Sequence, residues 1–218
     1  METILKTLKV SEIFFSIQGE SSYVGWPCIF IRLTGCNLKC SFCDTTFAYS
    51  EGEEMSIDYI ISVIKQYKCN LVEITGGEPL LQEDVYSLID ELIEMNYTVL
   101  LETNGSITLE RVNPKVIKIV DIKCPSSGAA ESNYFENLNY LTPNDEIKFV
   151  IGAKEDYEWG KGIINRFNLT DRFQVLFSTA FSRIEPQKVV EWILNDKLKV
   201  RFQLQIHKYI WSPNTRKV

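Results

Sequence analysis

Short apolar runs alternate along the chain with longer segments in which apolar residues recur at helical spacing. Runs of four to eight apolar residues bounded by turn residues are typical of strands. They predict strands at residues 10–15, 27–33, 71–74, 99–101, 116–122, 147–151, 173–177 and 200–206. The longer segments predict helices at residues 57–67, 80–95, 133–141, 155–167 and 186–198. Ser56 is the expected N-cap of the first helix, since serine favours that position.

This alternation predicts an α/β fold with largely parallel strands, because successive βαβ units place their strands parallel. The number of strands favours an incomplete or modified (β/α) barrel, and an open doubly wound sheet is the alternative. The length of 218 residues fits a single domain over residues 1–218. The sequence shows no internal repeat, low-complexity segment or Gly/Ser linker.

Unusual polar residues follow directly after the predicted strands. In a parallel barrel the carboxyl ends of the strands share one face, where active sites are built. We therefore expect these residues to lie together at one functional face. They are the loop of residues 35–45, Gly76-Gly77-Glu78-Pro79, Glu102-Thr103-Asn104-Gly105, Lys123-Cys124-Pro125-Ser126, Ser178-Thr179 and His207.

Charge and hydropathy argue against two classes of function. The chain has 23 basic and 29 acidic residues, a formal net charge of −6, which disfavours a nucleic-acid-binding surface. The basic pair Arg216 and Lys217 is too small to change this expectation. The sequence has no apolar run of about 18 residues, so no membrane span is expected. Residues 1–4 lack the layout of a signal peptide, and a cytoplasmic location is expected.

The six cysteines should be reduced in a cytosolic chain, where clustered cysteines indicate metal binding or catalysis. Cys28 and Cys69 lie in or beside apolar segments and are expected to be small buried hydrophobic residues. Three others, Cys36, Cys40 and Cys43, form a Cys-x3-Cys-x2-Cys motif in one loop. Thiolates suit Zn²⁺ or an iron–sulfur cluster. A structural zinc needs a fourth protein ligand, and a four-iron cluster usually takes four cysteines. Three cysteines would leave one cluster iron open to an outside ligand.

The cysteine loop, followed after the next strand by Gly76-Gly77-Glu78-Pro79, resembles the motifs of the radical S-adenosylmethionine (SAM) superfamily. The resemblance implies a [4Fe–4S] cluster on the three cysteines. It also implies that SAM binds the open iron and is cleaved to a 5′-deoxyadenosyl radical. The glycines let the backbone approach a ligand, and Pro79 suits a first helical position. Without the resemblance, Gly76–Pro79 is an ordinary strand-to-helix turn.

The chain resembles one family within this superfamily more closely, the 7-carboxy-7-deazaguanine synthases. The matching segments are residues 14–20, Cys43-Asp44-Thr45, residues 102–105, residues 121–128 and residues 205–208. The resemblance covers essentially the whole chain. It implies a lyase that converts 6-carboxy-5,6,7,8-tetrahydropterin to 7-carboxy-7-deazaguanine with loss of ammonia, in the route to queuosine. It further implies a modified, incomplete (β/α) barrel of the radical SAM type, a homodimer, and an electron donor such as flavodoxin or ferredoxin.

The same resemblance assigns cofactor residues. The expected SAM contacts are Phe42, Asp44, Gly77, Glu78, Glu102, Asn104, Cys124, Pro125, Ser126 and Ser178. Among them, Cys124 is expected as a neighbour through its backbone and not as a fourth cluster ligand. Thr45 matches the family position whose hydroxyl binds Mg²⁺, an ion that prefers oxygen ligands. The residue type alone favours a local cap at Thr45.

The resemblance also assigns substrate contacts to Ile17, Gln18, Gly19, Glu20, Arg32, Thr75 and His207. Arg32 stands in an otherwise apolar strand, and a buried arginine requires an anionic or hydrogen-bonding partner. A pterin carboxylate would bind it bidentately, and a structural ion pair is the alternative. Glu20 is expected to accept hydrogen bonds from the amino and ring N–H groups of the pterin. His207 is the only histidine and ends the last predicted strand. No residue of the tail 211–218 is assigned.

Two alternatives stay open at this point. Another radical SAM enzyme, such as an activase that makes a glycyl radical on a partner protein, would share the cluster loop. It would not need Arg32, Thr45 or the segment Gln18-Gly19-Glu20. A zinc-knuckle binding module is the alternative from a different class.

Overall fold

The computed structural model describes residues 5–218. Met1–Ile4, on which the expectation about a signal peptide rests, lie outside the described residues. The strands are β1 (Thr7–Ile17), β2 (Pro27–Leu33), β3 (Glu53–Ser56), β4 (Leu71–Gly76), β5 (Thr98–Thr103), β6 (Ile117–Ile122), β7 (Glu146–Ile151), β8 (Gln174–Thr179) and β9 (Arg201–Gln203). The helices are α1 (Ile57–Ile64), α2 (Val85–Glu94), α3 (Lys154–Phe167), α4 (Pro186–Asp196) and α5 (His207–Ile210).

The strands form one sheet in the order β3-β1-β2-β4-β5-β6-β7-β8-β9. From β2 to β9 all neighbours are parallel, whereas β1 pairs antiparallel with both β2 and β3. β3 and β9 do not pair with each other among the described residues, so the sheet stays open. The prediction of an α/β fold built as an incomplete, largely parallel barrel is confirmed. The prediction of a single domain stays a prediction.

Helices α1 to α4 cover one face of the sheet, and the main hydrophobic core lies between these helices and the sheet. Helix α1 shows why these segments are helical. Its buried isoleucines, Ile57, Ile60, Ile61 and Ile64, recur at helical spacing. Ser56 accepts a hydrogen bond from the backbone of Tyr59 at 3.2 Å, which confirms the predicted N-cap.

The opposite face of the sheet is not covered by these helices and carries polar side chains. In β2, Ile31 and Leu33 pack into the core, whereas Arg32 between them points to the uncovered face. In β1 the register shifts between Val10 and Glu12. A bulge of one residue moves the side chains that follow it to the opposite face of the sheet. Val10 therefore packs into the core, and Glu12 reaches the uncovered face.

Several element boundaries differ from the prediction. Strand β3 was not predicted, because its exposed Glu53 and Glu54 show no apolar pattern. It forms by pairing with Thr7–Val10, which also extends β1 beyond its predicted start. The second predicted helix divides into a 3₁₀ turn at Pro79–Leu81 and α2. The last strand has three residues, since the backbone of Ile206 turns to donate to Gly19.

The helix predicted at residues 133–141 is wrong. This segment contains 3₁₀ turns at Ala130–Ser132 and Phe135–Asn139. Two asparagine side chains bind backbone groups of neighbouring loops instead of facing solvent on a helix. Asn133 bonds both the N–H and the carbonyl of Lys123, and Asn137 donates to the carbonyl of Gly105 at 3.0 Å. Asparagine competes with helical backbone bonding in this way.

Within residues 5–218, no helix is long and apolar enough to cross a membrane.

A buried ion pair beneath the sheet gives a test of the fold. On the core side of β6, the Lys118 ammonium lies 3.0 Å from the Asp145 carboxylate, and both side chains are buried. Asp145 also accepts the backbone N–H groups of Lys118 and Thr142, which fixes the turn before β7. Removal of one partner leaves the other charge buried without compensation.

We expect Lys118→Met to lower the free energy of unfolding by about 3 kcal/mol, measured by urea denaturation, because Asp145 then stays buried without its counterion. The double variant Lys118→Met/Asp145→Asn should recover part of this loss, since it contains no unpaired charge. A Lys118→Met chain as stable as the wild type would show that this pair does not hold the turn.

Candidate active site

A cavity of about 1050 Å³ lies on the uncovered face, at the carboxyl ends of the parallel strands. It brings together most of the residues predicted from the sequence. Those that line it are Ile17, Gln18, Gly19, Glu20, Arg32, Cys36, Cys40, Phe42, Cys43, Asp44, Thr45, Thr75, Gly77, Glu102, Asn104 and His207. Of the segments expected at one functional face, the cysteine loop, Gly76-Gly77, residues 102–104, Lys123, Thr179 and His207 line the cavity. Glu78, Cys124, Pro125, Ser126 and Ser178 do not line the cavity.

The cysteine loop follows β2 and is anchored by its own backbone and by a neighbouring loop. Within it, the N–H of Cys43 donates to the carbonyl of Cys40 at 3.2 Å. Ser41 bonds the turn after β6 twice, from its N–H to the carbonyl of Ser127 at 2.9 Å and from its hydroxyl to the carbonyl of Ser126 at 2.7 Å. These bonds hold the loop over the carboxyl end of β6, with its three cysteines on the cavity wall.

The three thiols of this loop are free, half-buried and exposed to one cavity. In residues 5–218, no three His, Cys, Asp or Glu side chains converge on one point as the ligands of a single metal ion do. The iron atoms of a cluster are bound one cysteine each, so its sulfur ligands need not converge. Three soft thiolates on the wall of an open cavity are a donor set that fits a [4Fe–4S] cluster, whereas a closed structural zinc site takes four protein ligands.

The two glycines after β4 allow a close backbone contact beneath the cysteine loop. A Cβ on Gly77 would lie 2.2 Å from the carbonyl oxygen of Gly35 and 2.7 Å from the Cβ of Cys36. Gly76 has φ +152° and would place a Cβ 2.2 Å from the carbonyl oxygen of Leu33. Both positions exclude a side chain, so the glycines serve contact between two strand ends. The N–H of Glu78 completes this contact by donating to Gly35 at 2.8 Å.

Glu78, predicted to contact SAM, instead lies fully buried behind the cavity wall. Its carboxylate accepts hydrogen bonds from the N–H of Leu80 at 3.0 Å and the N–H of Asn104 at 2.7 Å. It also accepts the hydroxyl of Thr103 at 2.9 Å. Burial raises the pKa of Glu78 against the effect of these donors. The side chain joins the loops after β4 and β5 and places Asn104 in the cavity.

The other four residues that miss the cavity are also part of its supporting wall. Cys124 is fully buried, and burial raises the pKa of its thiol well above the usual value. Ser126 donates its N–H to Asp156 at 2.8 Å, which ties the loop of Pro125 to the first turn of α3. Ser178 is also buried, within β8. Its neighbour Thr179 and the following residues 180–183 line the cavity instead.

Arg32 lies at the end of the cavity away from α3 and forms the ion pair considered from the sequence. Its Nε donates to the buried carboxylate of Glu12 at 3.3 Å. Among the described residues, neither terminal guanidinium nitrogen has a hydrogen-bond partner. The structural pair therefore leaves the bidentate edge of Arg32 available to an anionic ligand.

Acidic side chains and one lysine form the floor of the cavity. Lys148, from β7, contacts the carboxylate of Glu102 from β5 and lies 3.2 Å from that of Glu20. Although burial alone would raise the pKa of Glu102, Lys148 lowers it below its usual value. The neighbouring Glu73 accepts a hydrogen bond from Gln18, and burial beside Glu102 and Glu20 raises the pKa of Glu73 well above the usual value. The floor therefore contains neighbouring carboxyl groups whose pKa values are shifted in opposite directions.

The cavity rim beside the cysteine loop contains another ion pair. Asp44 lies 2.5 Å from the ammonium of Lys208 in α5. Burial would raise the pKa of Asp44, but Lys208 lowers it far below the usual range. The hydroxyl of Thr45 donates to Asp44 at 2.9 Å, so the Thr45 oxygen keeps its lone pairs.

His207 begins α5 and packs against the loop after β1. A Cβ on Gly19 would lie 2.1 Å from its Nδ1, so only glycine fits opposite the imidazole. Burial lowers the pKa of His207 below its usual value. The imidazole is therefore neutral at pH 7 and has one donor and one acceptor nitrogen.

Sequence reasoning assigns no role to several charged residues of the cavity, namely Glu12, Glu73, Asp121, Lys123, Lys148, Lys208 and Arg216. Four of these, Glu12, Glu73, Asp121 and Lys148, stand inside apolar strands, a signal that is applied only to Arg32. The tail was left unassigned, yet residues 213–218 line the cavity. Arg216 pairs with Glu12 at 2.7 Å and with Glu51 at 2.9 Å, and its guanidinium lies 3.6 Å from the ring centre of Phe47.

Comparison with known proteins places this chain in a family. Residues 30–120 match the family model of the radical SAM superfamily. The 7-carboxy-7-deazaguanine synthase of Chlorobaculum tepidum is 45% identical over 215 residues, 97% of each chain. That of Koribacter versatilis is 44% identical, over 97% of this chain and 100% of that protein. The crystal structure of QueE from Escherichia coli shares the fold, with a TM-score of 0.76 at 23% identity over 91% of this chain and 93% of that one. The chain therefore belongs to the 7-carboxy-7-deazaguanine synthase family of radical SAM enzymes.

Proposed function

We propose that the chain is a carbon–nitrogen lyase that converts 6-carboxy-5,6,7,8-tetrahydropterin to 7-carboxy-7-deazaguanine with loss of ammonia, on the route to queuosine and other 7-deazaguanines. The observation that carries this proposal is one cavity that joins a loop of three free cysteines to a charged floor and to Arg32. The family membership supports the same activity. The test is an anaerobic assay of the reconstituted protein with this pterin and SAM. Cleavage of SAM without the deazaguanine product would sink the proposal.

The radical SAM family implies a [4Fe–4S] cluster and SAM as cofactors. We assign the cluster to Cys36, Cys40 and Cys43, whose thiols share the cavity wall. When bound, the two cofactors supply one-electron chemistry that side chains cannot provide. The residues of the chain bind and orient the substrate and limit the access of water. For SAM, the side chains or backbone of Phe42, Asp44, Gly77 and Asn104 lie beside the cysteines, whereas the role of Glu78 is indirect. Glu102, expected from the sequence as a SAM contact, lies on the cavity floor against Lys148, and we assign it to the pterin instead.

The pterin would occupy the end of the cavity between Arg32 and the acidic floor. The terminal nitrogens of Arg32 suit a carboxylate, which supports the assignment of the 6-carboxylate to this end. Each oxygen of Glu20 has one protein donor, Gln205 at 2.8 Å and Lys148 at 3.2 Å. Lone pairs remain on both oxygens for the amino and ring N–H groups of a pterin.

The other proposed substrate contacts complete this arrangement. Ile17, Gly19, Thr75 and His207 line the same cavity. The side-chain amide of Gln18 is already used, because it donates to Glu73 and accepts from the N–H of Glu20 at 3.0 Å. We therefore assign Gln18 the task of shaping the floor as well as contacting the pterin.

We also propose that Mg²⁺ binds between Thr45 and the substrate carboxylate. The support is the Thr45 oxygen on the cavity wall, with its hydrogen donated to Asp44. Mg²⁺ retains several non-protein oxygens in its shell, so one protein ligand is compatible with binding. The homodimer, the flavodoxin or ferredoxin donor and the cytoplasmic location remain proposals that rest on the family resemblance.

The cluster assignment predicts that Cys36→Ala, Cys40→Ala or Cys43→Ala abolishes iron loading and SAM cleavage, because each change removes one thiolate ligand. Cys28→Ala and Cys69→Ala are matched controls and should keep both properties, since neither cysteine lines the cavity. Iron and sulfide content and anaerobic SAM cleavage are the measurements. A loop variant that still holds a redox-active four-iron cluster would remove the assignment.

The substrate assignment predicts that Arg32→Lys weakens pterin binding about 10- to 100-fold, because lysine lacks the planar fork for a carboxylate. SAM affinity should change less, since Arg32 is assigned to the pterin carboxylate and has no assigned contact with SAM. Calorimetric titration of the holoenzyme with each ligand separates the two effects. An equal loss of both affinities would indicate that Arg32 serves the fold through Glu12.

The metal assignment predicts that Thr45→Ala loads iron and binds SAM normally but turns over slowly and responds little to added Mg²⁺. Wild-type activity should rise with Mg²⁺ and fall with a chelator that leaves the cluster intact. Turnover is measured against Mg²⁺ concentration for both proteins. Identical curves exclude Thr45 as a ligand, and a wild type that ignores Mg²⁺ excludes the metal.

A further inference from the structure

Lys148 has no role in the assignments above, although it lies at the centre of the cavity floor. Its side chain is 6% exposed, and its ammonium contacts Glu102 and lies 3.2 Å from Glu20 and 3.9 Å from Asp121. These three carboxylates come from different elements: the loop after β1, β5 and β6. One ammonium therefore joins groups that are up to 128 residues apart in the chain.

We propose that Lys148 is a positioning residue for pterin recognition, which holds the carboxylates of Glu20 and Glu102 in place as hydrogen-bond acceptors toward the 2-amino and ring N–H groups of the substrate. This inference rests on the proposed function and adds a determinant of specificity to it. Only the ionised form of a carboxyl group is purely an acceptor, and a protonated one also presents a donor. A floor with several buried carboxyl groups would lose this recognition without a counterion.

The surroundings of Lys148 support this role. The charged or titratable side chains that line the same cavity include Glu20, Arg32, Glu73, Glu102, Asp121, Lys123 and His207. Glu73 has no contact with Lys148, and its pKa is raised well above the usual value. Glu102 contacts Lys148, and its pKa is lowered in spite of burial. The pKa values of two glutamates on adjacent strands are thus shifted in opposite directions, and the lowered one belongs to the glutamate that contacts this lysine.

A second buried lysine provides a matched control. Lys118 also forms a buried pair inside a strand, but it points to the core side of the sheet. Lys118→Met removes a buried ammonium of the same kind without touching the cavity. It should lower stability and leave substrate recognition unchanged.

The test compares holoenzymes of the wild type, Lys148→Met, Lys148→Arg and Lys118→Met. The probes are the carboxy-tetrahydropterin and its analogue without the 2-amino group, and the readouts are kcat, KM, SAM affinity and the ratio of kcat/KM for the two pterins. We expect Lys148→Met to raise KM about 10- to 100-fold, as for loss of charge-assisted hydrogen bonds, and to lower the ratio by a similar factor. SAM affinity should be unchanged. Lys148→Arg should recover most of both effects, because it keeps the charge.

An unchanged ratio in folded Lys148→Met would overturn the proposal, as would a Lys148→Arg variant as impaired as Lys148→Met. If Lys148→Met does not fold, the double variant Lys148→Met/Glu102→Gln restores the charge balance and should show the same loss of discrimination. If the wild type binds both pterins but turns over neither, the proposed function fails. The ratio of their dissociation constants, measured by calorimetry, then tests Lys148 on its own.

Discussion

The uncovered face of the open sheet carries charged side chains, and this constraint governs the site. A parallel sheet normally buries apolar residues on both faces. Here β2, β4, β5, β6 and β7 each place at least one charged residue on the uncovered face. Charges removed from water must be paired or neutralised. The pairs of Arg32 with Glu12 and of Lys148 with Glu102 meet this requirement, and Glu73 meets it by a raised pKa.

A second constraint couples the cysteine loop to this charged floor. Gly76 and Gly77 bring the end of β4 against Leu33 and Gly35, where the loop begins. The buried carboxylate of Glu78 then binds the N–H of Asn104 after β5. The loop is thereby fixed to three successive strands of the floor. The thiols and the side chains that face the substrate keep fixed relative positions, because the same backbone segments support both.

The sequence was sufficient for the fold class and for the residues that reach the cavity through motifs. It was not sufficient for charged residues inside strands, because the register of a strand decides which face of the sheet each side chain occupies. Lys118 and Lys148 stand in similar apolar runs, yet one faces the core and the other the cavity. The bulge before Glu12 moves the following side chains to the other face of the sheet, and the residue types of the strand do not reveal it. The asparagine bonds that replace the helix predicted at residues 133–141 depend on distant loops.

The tail shows how a residue distant in sequence becomes part of the substrate end. Glu12 uses one oxygen for Arg216 at 2.7 Å and the other for Arg32 at 3.3 Å. Because Glu12 is buried, its negative charge is shared between the two guanidinium groups. The position of Arg32 is therefore set by the same carboxylate that holds the tail. An anion bound to the terminal nitrogens of Arg32 would change the charge balance that Glu12 shares with Arg216. Seating of the tail and the charge at this end of the cavity are therefore physically linked.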